Sequence, residues 1–311
     1  MRHITLPVTL ALAAACSPSA ADDDSRAEEG TTYRVYFLGG QSNMDGYGFN
    51  KDLPDEIAGA VDGVRIFTGE DVEDGTEGGG EGIWAPLSSG FGVSFSTNGK
   101  ANTLSDRFGP ELTFGHAMAK ADQAERIAII KFSRGGTGLI DGVSAYGSWD
   151  PDYSAKNKRN LYDQALDAIA AAMKAGDIDG DGKKDRLVPA GVVWMQGEAD
   201  AFENRKNAAT NYERNLSRLM LLIRKAMGDD DLPVVIGRIK DSGNSPETRV
   251  MKFSPQVREA QARFTEQDSC AALVTTTDNF EFIDGWHYRS QDYIALGKGF
   301  AEAMQQLEQS C

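Results

Sequence analysis

The chain has 311 residues, with 47 acidic against 32 basic side chains and a formal net charge of −15. That balance argues against nucleic acid as a partner, because phosphates demand a basic patch. Beyond the N-terminal segment, no stretch is long and apolar enough to span a bilayer.

Met1-Arg2-His3 is a short basic head, and Ile4 to Ala15 is apolar apart from Thr5, Pro7 and Thr9. A run of this length is too short to cross a membrane but suits a signal h-region. It ends in Ala13-Ala14-Ala15-Cys16. Small residues before a cysteine resemble a bacterial lipobox, in which that cysteine becomes the lipidated first residue of the mature protein. Ala13 stands where the pattern prefers leucine. The alternative is cleavage near the same alanines and free secretion. Residues 1–16 thus form a signal segment with a lipobox-like cysteine, and on either reading its apolar run is removed and the protein is exported, to the periplasm or cell surface if Cys16 stays as a membrane anchor. Residues 17–30, SPSAADDDSRAEEG, are small and acidic without apolar periodicity, so a disordered tether is expected there. Residues 31–311 are then one domain, a length acceptable for an α/β fold.

The domain opens with YRVYFLGGQSNMDG, Tyr33 to Gly46. Val35 to Leu38 reads as a buried strand, and Gly39-Gly40 allow a sharp turn after it. Ser42 sits just past the strand end, where ligands gather in open α/β sheets. It is placed as a nucleophile would be, although the G-x-S-x-G spacing is absent. A turn serine that caps the next helix is the alternative.

Val64 to Phe67 suits a short strand. Gly69 to Gly82 is a glycine-rich acidic loop, and Trp84 to Asp106 has no clear period. An irregular insertion of that length near a strand end usually shapes a site. Gly109-Pro110-Glu111 starts a helix that carries His116. Ile127 to Phe132 is the next core strand, ended by Ser133-Arg134-Gly135-Gly136-Thr137-Gly138, a turn whose amides can face an anion. Asp141 to Asn157 is a loop holding Tyr146, Trp149 and Tyr153, either sugar-stacking groups or packing for the loop.

Leu161 to Ala175 has helical spacing. Asp177-Ile178-Asp179-Gly180-Asp181-Gly182-Lys183-Lys184-Asp185 follows, with carboxylates at alternate positions and then glycine, like the start of a calcium loop. Val188 occupies the twelfth place, where a bidentate acid belongs, so Asp185 would have to close a shorter loop. Asp177, Asp179, Asp181 and Asp185 are expected to hold calcium, with a solvated acidic turn as the alternative. Pro189 to Met195 is the third core strand, followed by Gln196-Gly197-Glu198-Ala199-Asp200. A helix over Asn211 to Met227, a strand over Leu232 to Ile239, a helix over Ser254 to Asp268, a strand over Ala271 to Thr275 and a helix over Tyr293 to Gln309 complete the alternation. Alternating strands and helices imply a parallel sheet covered on both faces. Cys270 and Cys311 are expected to form one disulfide pinning the C-terminal tail, with two free thiols as the alternative.

Of the three histidines, His3 leaves with the signal and His116 reads as a structural group within its helix. His287 remains as proton shuttle, with Asp284 three residues earlier on a turn to orient it.

GQSNM at Gly40 to Met44, WMQGEAD at Trp194 to Asp200, and Asp284-x-x-His287 followed by LGKGFA resemble the SGNH hydrolase superfamily, and within it the sialate O-acetylesterase domain and carbohydrate esterase family six. The motifs fall in order across Tyr33 to Gln309. The resemblance implies a three-layer α/β/α sandwich, flavodoxin-like, with a five-stranded parallel core sheet. It implies removal of O-acetyl groups from an acetylated carbohydrate. By match to its motifs Ser42 is the nucleophile, His287 the base and Asp284 its partner, with Glu198 a second candidate to support the histidine. The oxyanion hole would come from the Ser42 amide, Gly135 or Gly136, and the Gln196 side chain. Gln41, Trp149 and Trp286 are expected to contact substrate. The family often has histidine before QGE, where this chain has Met195. No metal or organic cofactor is needed for that chemistry, and calcium, if bound, would be structural because its loop precedes the third strand and so lies on the face away from Ser42. A lipid or aryl esterase of the same superfamily, or a carbohydrate-binding lipoprotein without activity, are the competing readings.

Overall fold

The computed structural model describes Met1 and residues 30–121, 126–154, 158–243 and 245–311. The expected signal segment with Cys16, and the tether up to Glu29, lie outside the described residues.

Seven strands form one sheet. They are β1 (Thr32–Gly40), β2 (Val64–Thr68), β3 (Trp84–Pro86), β4 (Arg126–Ser133), β5 (Arg186–Met195), β6 (Val234–Gly237) and β7 (Ala271–Val274). Their order is β7-β6-β5-β1-β4-β2-β3. All neighbours run parallel except β2 and β3. The five expected core strands, β1, β4, β5, β6 and β7, keep the flavodoxin-like order. The sheet extends past them because β2 adds to β4, and β3 pairs with β2 as an antiparallel edge. Trp84–Pro86 has no run or alternation long enough to read as a strand, and only the exposed edge of β2 makes it one.

Among the described residues five long helices cover the sheet: α1 (Pro110–Ala121), α2 (Leu161–Lys174), α3 (Lys206–Met227), α4 (Ser254–Gln267) and α5 (Ser290–Glu308). One layer packs α1 on α5, and the other packs α3 between α2 and α4. The strands are therefore buried on both sides. In β1, Val35 to Leu38 are fully buried, which is why this strand is an uninterrupted apolar run rather than an alternating one. Each fully buried Leu, Ile, Val or Phe contributes about 1.5–3 kcal/mol of transfer free energy. α3 starts five residues before the expected Asn211, because Ala208 and Ala209 already face the interior.

Pro189 lies inside β5 yet does not end it. The register against β1 passes from Val35↔Pro189 to Tyr36↔Gly191, so Ala190 is an extra residue. A bulge there absorbs the missing N–H of the proline. At the other end of β1, Gly40 has φ +148 and a Cβ on it would collide with the Met195 carbonyl. Met195 itself is buried with its sulfur against Gly237, so the family's histidine position is here filled by packing.

Cys270 and Cys311 form a disulfide, with Cα atoms 5.8 Å apart. It ties the chain end after α5 to the start of β7. Among the described residues no helix is long and apolar enough to cross a membrane.

Candidate active site

The strand order reverses beside β1: the chain moves to β4 on one side and then to β5 on the other. The carboxyl ends of these three strands meet at that switch point, and Ser42, Gly135 and Glu198 follow them directly. Here a cavity of about 1000 Å³ opens, lined by Gln41, Ser42, Gly135, Glu198, Trp286 and His287 among others. The separate motifs of the sequence thus share one crevice.

Ser42 begins a one-turn helix, Ser42–Asp45, and is 6% exposed. The turn is closed by Met44 N and Asp45 N donating to Gln41 O at 2.7 and 2.9 Å. Among the described residues no acceptor takes the amides of Ser42 or Gly135. A Cβ on Gly135 would stand 3.4 Å from Ser42 Cβ, so the two backbones lie side by side. Gly136, with φ +73, supplies the turn, and the Tyr146 ring covers it.

His287 Nδ1 and Asp284 Oδ2 are 2.7 Å apart. Asp284 Oδ1 also accepts the amides of Trp286 and His287, at 2.7 and 2.8 Å. Partial burial pushes the Asp284 carboxyl up, but these hydrogen bonds outweigh it and hold it below the usual carboxylate value. An ionised acid on Nδ1 selects the tautomer that leaves Nε2 free to take a proton. Tyr47 lies flat on the other side of the imidazole.

Glu198 does not reach the histidine through any hydrogen bond. Its Oε1 accepts from Asn43 Nδ2 at 2.7 Å, and its buried Oε2 has no partner among the described residues. Burial pushes this carboxyl up against the hydrogen bond from Asn43. Asn43 also donates to Trp286 O at 3.2 Å and accepts from Tyr293 OH at 2.7 Å. One asparagine next to the serine therefore joins the QGE segment, the histidine loop and α5. The sequence reading passed over it because its partners are 155 to 250 residues away.

Two expected contacts are corrected. Trp149 is fully buried, edge-on to Phe132 and Trp194, and its Nε1 donates to Thr137 Oγ1. It is a core residue and cannot touch substrate. The exposed aromatic of that loop is Tyr146, on the cavity wall. Gln196 is also fully buried, and its Nε2 donates to Thr137 O at 3.0 Å and Asp200 Oδ2 at 2.6 Å. Both amide hydrogens are spent, so the side chain has none left for an oxyanion. Trp286, 37% exposed and leaning on Phe202, does line the cavity.

A buried ion pair holds the floor. Lys131 on β4 donates to Glu111 Oε2, Asp45 O and Phe91 O at 2.7, 2.8 and 2.7 Å. Its three donors are all satisfied. They fasten the end of the Ser42 turn to α1 and to the irregular insertion. Phe91 to Phe95 of that insertion wall the cavity, as expected of a long irregular insertion near a strand end. Burial raises the Asp45 carboxyl to about 6, against the hydrogen bond from Ser133 and the charge of Lys131. His116, half-buried on α1, lies outside the cavity lining.

At the opposite, amino-terminal edge of the sheet, ligand oxygens of Asp177, Asp179 and Asp185 lie within 4.8 Å of one another. Asp185 Oδ1 accepts Thr31 N at 2.8 Å, next to the start of β1. Asp181 is outside this group, and its Oδ1 accepts Lys183 N.

The sequence over residues 32–306 matches the family described as carbohydrate esterase, sialic acid-specific acetylesterase. No curated protein sequence is significantly similar to the chain. Among solved structures, a protein from Arabidopsis thaliana superposes with TM-score 0.64 at 18% identity, covering 88% of this chain and 98% of its own. A carbohydrate acetylesterase from Xanthomonas citri gives TM-score 0.60 at 16% identity, over 89% of this chain and 57% of its own. The protein NanS gives TM-score 0.58 at 15% identity, over 91% and 99%. With the family matched over nearly all of the described chain, the protein belongs to the sialic acid-specific acetylesterase family of carbohydrate esterases and is a carbohydrate acetylesterase family hydrolase.

Proposed function

We propose that the protein is an exported serine esterase that removes O-acetyl groups from a carbohydrate through an acetyl-serine intermediate. The observation that carries this reading is the Asp284–His287 hydrogen bond, 2.7 Å, at the cavity that Ser42 lines. In the reaction His287 Nε2 takes the Ser42 proton as Oγ attacks the acetyl carbon. It returns that proton to the sugar oxygen as the ester bond breaks. Water then attacks the acetyl-serine by the same route and releases acetate. Backbone donors from Ser42 and Gly135 stabilise the tetrahedral oxyanion, each worth about 3 kcal/mol.

The family and the names of its structural neighbours favour an acetylated sugar. Tyr146 and Trp286, exposed on the cavity walls, suit a sugar ring better than an acyl chain. The test is acetate release from a panel of acetylated glycans, beside an aryl acetate and a long-chain acyl ester. Release from no glycan but from the long-chain ester overturns the carbohydrate reading.

The apolar N-terminal segment supports export, and the disulfide suits an oxidising compartment. Lipidation of Cys16 would tether the enzyme to a membrane, and mass spectrometry of the mature N-terminus tests it. A structural calcium ion would be held by Asp177, Asp179 and Asp185, whose hard oxygen ligands suit that cation. Its place at the amino-terminal edge keeps it away from Ser42, so it has no part in the chemistry.

A further inference from the structure

An acyl-transfer site needs donors aimed at the oxygen where negative charge develops. The free amides of Ser42 and Gly135 supply two, and Gln196 has no hydrogen left to give. A second side-chain amide lines the cavity, which Gln196 does not. Gln41 immediately precedes Ser42, is 3% exposed and lines the same cavity. Its Oε1 accepts from Gly197 N at 3.4 Å and from Ala199 N at 3.3 Å. Turning the amide over would set Nε2 against those two N–H donors, so the hydrogen-bond network decides which way it points. Nε2 is the end left over, and among the described residues no acceptor takes it. Gln41 thus presents an anchored amide with unspent donors beside the serine, in a place largely shut off from water.

We propose that Gln41 Nε2 is the third donor of the oxyanion hole, in the role the motif match assigned to Gln196. This inference rests on the serine-esterase reading of the site. As Ser42 Oγ bonds to the acetyl carbon, the carbonyl π pair moves onto oxygen and Gln41 N–H donates to it. The pair returns when the bond to the sugar oxygen breaks, and His287 delivers its proton there. Gln41 loses no proton at any point. Gln196 instead fixes the frame: through Thr137 and Asp200 it braces the turn that carries Gly135.

The test compares kcat and KM of the full-length protein with Gln41→Ala and Gln41→Glu on an aryl acetate at pH 8, with Ser42→Ala as the blank. Gln41→Ala is expected to lower kcat by about 100- to 1000-fold with KM little changed. Gln41→Glu keeps an acceptor for the Gly197 and Ala199 amides, so it preserves the anchor but turns an anionic oxygen toward the developing charge. Its rate should fall to that of Gln41→Ala or lower. A residue that only braced the fold would show the reverse order, with Gln41→Glu the more active. That order, or a Gln41→Ala kcat within about threefold of wild type, overturns the inference. If Gln41→Ala does not fold, as judged by its melting curve, the Gln41→Glu rate decides alone, and wild-type turnover in it overturns the inference. Absence of turnover in the wild-type protein overturns the esterase reading itself.

Discussion

Tyr47 lies flat against His287, with ring centroids 3.5 Å apart and planes within 6°. Tyr47 follows the Ser42 turn by two residues, so the segment that presents the nucleophile also holds the base in place. The stack confines the imidazole from the side that Asp284 does not reach, and its π face favours the imidazolium formed during attack.

Removing that face should loosen the base without moving the serine. Stacking of this kind is worth about 0.5–1.5 kcal/mol, so Tyr47→Leu is expected to lower kcat by up to about tenfold. Tyr47→Phe, which keeps the ring, should stay near wild type. Steady-state kinetics on an aryl acetate check both, and equal loss in the two variants would assign the effect to the hydroxyl.

The two candidate acids should separate cleanly. Asp284 binds His287 Nδ1, whereas Glu198 binds Asn43. Asp284→Asn is therefore expected to cost about four orders of magnitude in kcat, and Glu198→Gln, which keeps an acceptor for Asn43, about tenfold or less. Ser42→Ala and His287→Ala should abolish turnover, while His116→Ala should retain it. Activity in His287→Ala together with inactivity in folded His116→Ala would reassign the base.

Asp45 links the site to stability through pH. Burial raises its carboxyl in the folded protein to about 6, from 3.8. The folded state therefore prefers the protonated form. The stabilisation this gives is complete below 3.8 and is lost as pH rises through about 6. Asp45→Asn cannot ionise. Its melting temperature should gain on the wild type as pH rises from 4 to 6, and the difference should then stay constant up to pH 8. A difference that is flat across the whole range would show that Asp45 ionises without penalty.

Calcium, if held by Asp177, Asp179 and Asp185, should raise the melting temperature by mass action, because the unfolded chain cannot assemble the three carboxylates. At a hundredfold excess over the dissociation constant the gain is about 2.7 kcal/mol. Differential scanning with calcium and with a chelator measures it. Identical curves, with no metal by elemental analysis, would identify a solvated acidic turn closed by its own backbone amides. The rate of aryl acetate hydrolysis should be unaffected where the fold survives.

The strands and helices of the core were legible in the sequence because their causes are local. Val35 to Leu38 is an apolar run ended by glycines, Pro110 and Glu111 begin a helix, and α2 and α5 carry their apolar residues at helical spacing. Asp284 and His287 were legible as a pair for the same reason: three residues on one turn bring carboxylate and imidazole together. Two neighbouring glutamines with the same chemistry were not separable in this way. Gln41 and Gln196 each border a glycine in a motif, and nothing in their immediate sequence says which amide spends its hydrogens inside. Gln196 reaches Thr137 only when β4 and β5 lie on either side of β1, and with Asp200 four residues on taking the other hydrogen, that packing consumes its last donor. The same placement buries Trp149 and leaves Tyr146 at the wall, although both belong to one loop. It also sets Asn43 between Glu198 and Tyr293. Local pattern carries the elements, since helix and strand formation depend on near neighbours. Which polar group is satisfied within the protein and which is left for substrate depends on distant partners, 59 residues away for Gln196 and Thr137 and more than 100 for Gln41 and Asn43, and only the assembled sheet brings them within hydrogen-bond reach.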